Sequence, residues 1–139
     1  MSSRADKIKN PFRRTRNDHA QETAEDYVEA VASIRDEKGV CRSSDLARKF
    51  DVSHVTVHRI VARLHQEGWL ETEPYRPIEL TPKGKRLAKK SRERHEVVFQ
   101  FLLAIGVNPA VAAIDAEGIE HHVSEQTLDR FERATKRLR

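Results

Sequence analysis

A chain of 139 residues has room for one domain with a modest core, or for a small domain with an oligomerisation element, but not for two large domains. With 35% charged and 6% aromatic residues it leans toward helices with wide solvated faces, and its single cysteine, Cys41, excludes an internal disulfide framework and a Cys-rich zinc site. The net charge of +4 is unevenly spread: residues 1–19 carry six bases and two acids, 20–34 four acids and no base, 35–95 fifteen bases and nine acids, and 96–139 five bases and seven acids. Such a basic middle suits a nucleic-acid-binding centre joined to cation-binding parts, although scattered surface charge would give a similar profile. The lone cysteine points to a reducing cytoplasm, and neither a membrane-spanning run nor an apolar signal segment is present in the sequence.

Residues 1–19 show no period, contain Pro11 and are rich in Arg and Lys, which predicts a disordered basic arm. From about Thr23, Tyr27, Val31 and Ile34 recur at helical spacing, and Gly39 offers a stop. Glu22, Glu25, Asp26 and Glu29 form an acidic ridge on this helix. Acids near a helix N-terminus are also what the macrodipole favours, so the ridge by itself has an ordinary explanation.

The stretch from Cys41 to Gly84 has the most diagnostic local architecture. Ser43 or Ser44 is placed to cap a short helix with Leu46, Ala47 and Phe50, and Asp51-Val52-Ser53 makes a tight turn into a second helix capped by Ser53. That second helix turns Val57, Ile60, Val61 and Leu64 inward and leaves His54, Thr56, Arg59 and Arg63 outside. Two short helices so joined form a helix-turn-helix, whose second helix enters the major groove with its N-terminal residues toward the base edges. His54, Val55, Thr56 and Arg59 are therefore the expected base-reading residues. A strand over Trp69–Glu73, a turn over Pro74–Pro77 and a returning strand over Ile78–Thr81 complete a winged helix, with Tyr75 and Arg76 at the tip and Arg76 positioned for the DNA backbone. A charged tip is also what solubility alone would favour.

A long helix is expected to open at Thr81-Pro82 and to run to Gly106, basic in its first half and apolar at Val98, Phe99, Leu102 and Ile105 in its second. His95 shares that apolar stripe, where an imidazole is ordinarily a core residue. Asn108-Pro109 starts a further helix carrying Asp115–Ser124, on which Glu117, Glu120 and His121 fall at i, i+3 and i+4 and project from one face. His122, one residue on, turns about 100° away and is left out of the set. Ser124 caps a last amphipathic helix with Leu128, Phe131 and Leu138. These pieces carry more apolar face than a winged helix covers, so a homodimer is expected.

Three helices thus offer metal ligands: Asp26 and Glu29; His95; and Glu117, Glu120 and His121. Four carboxylates and two imidazoles balance two divalent cations, and without a thiolate they suit Mn2+ or Fe2+ better than a structural zinc. A carboxylate-bridged metal pair also occurs in di-metal hydrolases, a reading that leaves the winged helix unexplained. A metal-independent winged-helix regulator is the other rival.

The order of EDYVEAV, VTVHRIVARLHQEGWLE, SRERHEVVFQFLLAIGV and DAEGIEHHVS resembles the diphtheria toxin repressor family of metal-dependent transcription factors, over roughly residues 20–135. The resemblance implies a mainly α fold with a small β-hairpin: an arm over 1–19, an N-terminal winged helix-turn-helix over 20–82, and a linker helix with a helical metal-binding and dimerisation domain over 83–139. It implies a binuclear site at Asp26, Glu29, His95, Glu117, Glu120 and His121, with two Mn2+ per subunit. The iron-responsive branch typically has Met at the position of Asp26 and Cys at that of Glu117, so manganese is the expected metal and Fe2+ the alternative. The implied function is that of a cytoplasmic, non-enzymatic homodimer that binds a palindromic operator in double-stranded DNA when metal-loaded and represses manganese uptake genes, with no membrane partner. Metal ligands drawn from both halves would lower the freedom lost on docking. Pro77 departs from the small flexible residue the family pattern leads one to expect in the wing.

Overall fold

The computed structural model describes residues 11–139, with side chains from His19 onward. These residues form two compact units, one from Thr23 to Lys90 and the other from Ser91 to Arg139 together with the described residues up to Glu22. Six helices and one two-stranded sheet make up the described chain.

Helix α1 (Pro11–Lys38) begins well before Thr23, so the expected disordered arm is helical from Pro11; residues 1–10 of that arm lie outside the described residues. The apolar period starts only at Ala24, where a core must be covered. Upstream, Arg, Gln, Ala and Glu favour helix without any such signal, and proline is preorganised for a first turn. In the first unit α1 buries Ala24, Tyr27, Val28, Val31 and Ile34, then stops at Gly39, whose φ of 86° and N–H bond to the Arg35 carbonyl (2.8 Å) close the C-terminus.

Helix α2 (Ser43–Phe50) is capped differently from the expectation. Arg42 is the N-cap and Ser43 the first helical residue, and the Asp45 carboxylate accepts the Arg42 N–H at 2.9 Å. Asp45 also receives Lys38 Nζ at 2.5 Å and Arg48 Nη2 at 3.0 Å. The Lys38 hydrogen bond, then that of the Arg42 backbone, hold its carboxyl below the usual carboxylate range. The Asp45 carboxylate thereby ties the first turn to the residue before it, held in place by two cations. Asp51, at φ 52°, turns the chain toward α3 (His54–Gln66), which Ser53 caps by accepting the Thr56 N–H at 3.1 Å. Val57, Val61 and Leu64 of α3 pack with Leu46 of α2.

The wing is shorter than its expected strands. β1 (Leu70–Glu71) pairs antiparallel with β2 (Glu79–Leu80), Leu70 opposite Leu80 and Glu71 opposite Glu79. Pro74 and Pro77 have no N–H to extend the ladder. Ile78 instead donates its N–H to the Cys41 carbonyl at 2.8 Å, which fixes the base of the wing to the α1–α2 connection. The Cys41 thiol is buried there and is pushed up to about 11, mainly by desolvation, so it stays protonated and inert.

Helix α4 (Pro82–Ala104) starts against the wing. Thr81 accepts the Gly84 N–H at 3.0 Å and donates its hydroxyl to the Gly68 carbonyl at 2.6 Å. In the second unit α4 contributes Val98 and Leu102 to a core with Ala112 and Ala116 of α5 (Pro109–Ile119) and Leu128 of α6 (Glu125–Leu138). Phe101 stacks on Phe131 with ring centroids 4.2 Å apart. Asn108 and Ser124 cap α5 and α6 as expected, accepting the N–H groups of Ala110 and Thr127. Leu138 is exposed, so the apolar stripe of α6 ends before it.

Gly84 is the tightest contact of the first unit: a Cβ there would lie 1.9 Å from the Trp69 carbonyl oxygen, a backbone atom that cannot swing aside. Gly84→Ala is expected to separate α4 from β1 and to lower stability by about 2 kcal/mol or more, seen as a fall of roughly 10 °C in Tm on thermal unfolding followed by circular dichroism.

Candidate metal centre and nucleic-acid interface

The second unit brings three of the expected metal ligands into one cluster. One donor atom each from His95, Glu117 and Glu120 lies within 4.8 Å of the others, and His95 Nδ1 is 3.4 Å from Glu117 Oε1. His95 projects from α4, where Phe99 one turn on stacks nearly parallel to its ring (centroids 6.1 Å, 11°) and orients it. Glu117 lies in the last turn of α5, and Glu120, just past it, keeps right-handed helical angles, so the i, i+3 spacing of the two carboxylates survives the helix end.

His121 does not lie on the helix, contrary to the expectation. α5 ends at Ile119, and residues 120–122 form a tight turn in which the His122 N–H bonds to the Ile119 carbonyl at 3.0 Å. The turn has an external brace. Arg94, on α4 beside His95, donates Nη2 to the carbonyls of Glu120 (2.6 Å) and Val123 (2.9 Å), and Nη1 to the Glu125 carboxylate (3.0 Å). These bonds satisfy carbonyls that a longer helix would have used itself. His121 Nε2 still reaches Glu120 Oε1 at 3.3 Å, so it joins the cluster through the turn rather than through helical spacing.

The electrostatics of this cluster call for a cation. Glu120 has 0% of its surface exposed and His121 8%, whereas the Glu117 side chain is 57% exposed. An ionised carboxylate deprived of water is costly, and a second carboxylate within 4.8 Å adds repulsion, screened where Glu117 meets solvent. Oxygen and imidazole donors with no sulfur fit a divalent ion of the manganese or iron type. At metal–donor distances of about 2.0–2.2 Å, neighbouring ligands lie roughly 3–3.5 Å apart, and His95 Nδ1 and Glu117 Oε1 at 3.4 Å have that spacing. Asp26 and Glu29 lie half-buried at i, i+3 on α1 and belong to the first unit.

The residues expected to contact nucleic acid all belong to the first unit. His54, Val55 and Arg59 are exposed on the N-terminal turns of α3 and Thr56 is partly exposed. Val55 is 79% exposed, whereas Val57 and Val61 on the same helix are buried. At the wing tip Tyr75 is fully exposed at φ 66°, and Arg76 makes only an exposed 3.4 Å pair with Glu73, too weak to withhold it from a phosphate. His54, Tyr75 and Arg76 line one cavity with Arg42, Ser43, Ser44 and His58. Arg42, Ser44 and His58 thus share a cavity with the expected residues, a proximity that residue spacing does not reveal.

Residues 19–78 match the family model described as "Iron dependent repressor, N-terminal DNA binding domain", and residues 81–139 match "Iron dependent repressor, metal binding and dimerisation domain". Over 120 residues the chain is 46% identical to the transcriptional regulator MntR of Salmonella typhimurium, covering 86% of this chain and 76% of that one. It is 42% identical over 107 residues to the HTH-type transcriptional regulator MntR of Geobacillus thermodenitrificans, covering 77% of this chain and 76% of that one. Among solved structures it resembles the manganese regulator SloR at 27% identity and a TM-score of 0.69, covering 81% of this chain and 53% of that one, so it spans about half the length of that structure.

Arg94 touches no ligand side chain, yet it holds the backbone that presents Glu120 and His121. Arg94→Ala is expected to weaken Mn2+ binding by about 10–100-fold, as loss of an outer positioning group does, with helix content by circular dichroism unchanged; calorimetric titration of the variant with Mn2+ measures it.

Proposed function

The chain belongs to the iron-dependent repressor family, and we propose that it is a manganese-responsive member: a homodimeric DNA-binding repressor whose operator affinity is set by divalent metal. The observation that carries this reading is the buried Glu120 carboxylate brought together with His95 and Glu117 in the region matched to a metal-binding and dimerisation domain. The relatives are transcriptional regulators, so the hydrolase reading is not favoured, and the MntR relatives together with the all-N/O donor set favour manganese over iron.

The full ligand set is Asp26, Glu29, His95, Glu117, Glu120 and His121, holding two ions per subunit. Four carboxylates and two neutral imidazoles balance two divalent charges, and bound metal supplies there the positive charge that allows Glu117 and Glu120 to stay ionised together. Because the set takes ligands from both halves of the sequence, filling it lowers the freedom that two reading heads lose on docking to one duplex. Exposed Ile105, Val111 and Ile114 on the second unit supply apolar surface for a partner copy. A two-fold dimer of this kind addresses a palindromic operator with half-sites about one helical turn or a multiple apart. His54, Val55, Thr56 and Arg59 read bases, and Arg76 holds the backbone. No helix among the described residues is long and apolar enough to cross a membrane. We place the protein in the cytoplasm, where its operator lies, controlling manganese uptake genes.

Two measurements test this reading. Fluorescence anisotropy on DNA upstream of a manganese-uptake gene is expected to show operator affinity rising about tenfold or more with Mn2+, and Glu117→Ala or His95→Ala abolishing both that rise and saturable Mn2+ binding; metal-independent DNA binding would refute it. Arg59→Ala is expected to lower operator affinity by roughly 5–150-fold and to leave calorimetric Mn2+ binding intact. A parallel loss of metal binding would show that α3 is not the reading helix.

A further inference from the structure

The turn that directs His121 into the buried cluster directs His122 elsewhere. The two rings stand nearly perpendicular (77°) with centroids 6.5 Å apart, and His122 Nε2 lies 3.0 Å from Glu22 Oε2. Glu22 and His19 sit at i, i+3 on α1, so both project to one side of the helix. The His19 ring meets His122 edge-on, with centroids 5.8 Å apart at 81°. One donor atom from each of His19, Glu22 and His122 lies within 4.8 Å of the others, and all three residues belong to the second unit.

A surface histidine beside a glutamate is an ordinary ion pair. A second imidazole bringing a ring nitrogen into the same small sphere goes beyond such a pair and gives three donor atoms converging on one point. A cation resolves the arrangement. With metal–donor distances of about 2.0–2.2 Å, cis ligands fall about 3 Å apart, close to the 3.0 Å between His122 Nε2 and Glu22 Oε2. His19 and His122 are exposed and Glu22 half-buried, which leaves room for water to complete the coordination.

We propose that His19, Glu22 and His122 form a second, solvent-open site for a borderline first-row divalent cation of the zinc or nickel type. Its donors differ in kind from those of the proposed manganese set: two imidazoles to one carboxylate, against two imidazoles to four carboxylates. The imidazole-rich, net singly negative cluster favours ions late in the divalent affinity order, whereas the carboxylate-rich set accommodates an early one. The chain thereby holds two metal sites of different taste, built on adjacent histidines of one turn.

The test uses the metal-stripped full-length protein and Zn2+ alone, in a Glu117→Ala background so that failure of the manganese reading and failure of this one are distinguishable. Calorimetry is expected to find one zinc equivalent that His19→Ala weakens by about tenfold or more, as removal of one ligand should. In parallel, Zn2+ should shift the imidazole NMR resonances of His19 and His122 together in the same background. His19 is exposed, so its truncation leaves the fold intact, and Glu22→Gln provides the second variant. Equal zinc affinity and stoichiometry with and without His19, or His19 resonances unmoved by saturating Zn2+, would overturn the proposal.

Discussion

The second unit is organised around a carboxylate removed from water. Glu120 is wholly buried, His121 lies beside it at 3.3 Å, and Glu117 brings a second negative charge close by. Hydrophobic packing cannot explain this placement, since an apolar residue of similar size would fill the space without the desolvation cost. The arrangement is consistent with a chain whose stability is partly lent by a bound cation: ligand binding to the folded state adds stability in proportion to the logarithm of its concentration over Kd. A protein so built has different stiffness with and without metal, which is the property a sensor requires.

Holding that carboxylate in place falls to a residue with no metal-ligating role. Arg94 binds two carbonyls of the 120–123 turn and the Glu125 side chain, so a planar guanidinium substitutes for the turn of helix that α5 does not complete. Since Arg94 and His95 are consecutive on α4, the brace and one of the ligands move as one rigid element.

Much of this was legible in the sequence, and the exceptions share a physical cause. Caps at Ser53, Asn108 and Ser124, the stop at Gly39 and the buried faces of α3 and α4 follow from local periodicity and capping, which depend on near neighbours alone. The exposed positions of His54, Val55 and Arg59 on α3 and the nearness of Glu117 to Glu120 were also marked by residue type and spacing. What could not be read depends on contacts distant in the chain. Arg94 is one base in a run of seven on α4 until the turn it braces comes to it. His121 was placed on a helix because spacing knows nothing of a helix that ends early. The start of α1 at Pro11 was hidden because the segment upstream of Ala24 has helix-forming composition without an apolar stripe.

The pair His121-His122 illustrates how little sequence distance constrains function once a helix gives way to a turn. On a continuing helix the two imidazoles would diverge by about 100° and only one would find ligands. In the turn both are held by the same Arg94-braced backbone while facing different partners, one towards Glu120 and the other towards Glu22 and His19. Any ion that draws His122 toward Glu22 acts on the backbone that positions His121, and by linkage the reverse holds with equal free energy. The shortness of the turn is what ties the two imidazoles to one backbone, because a longer loop would let each histidine settle independently.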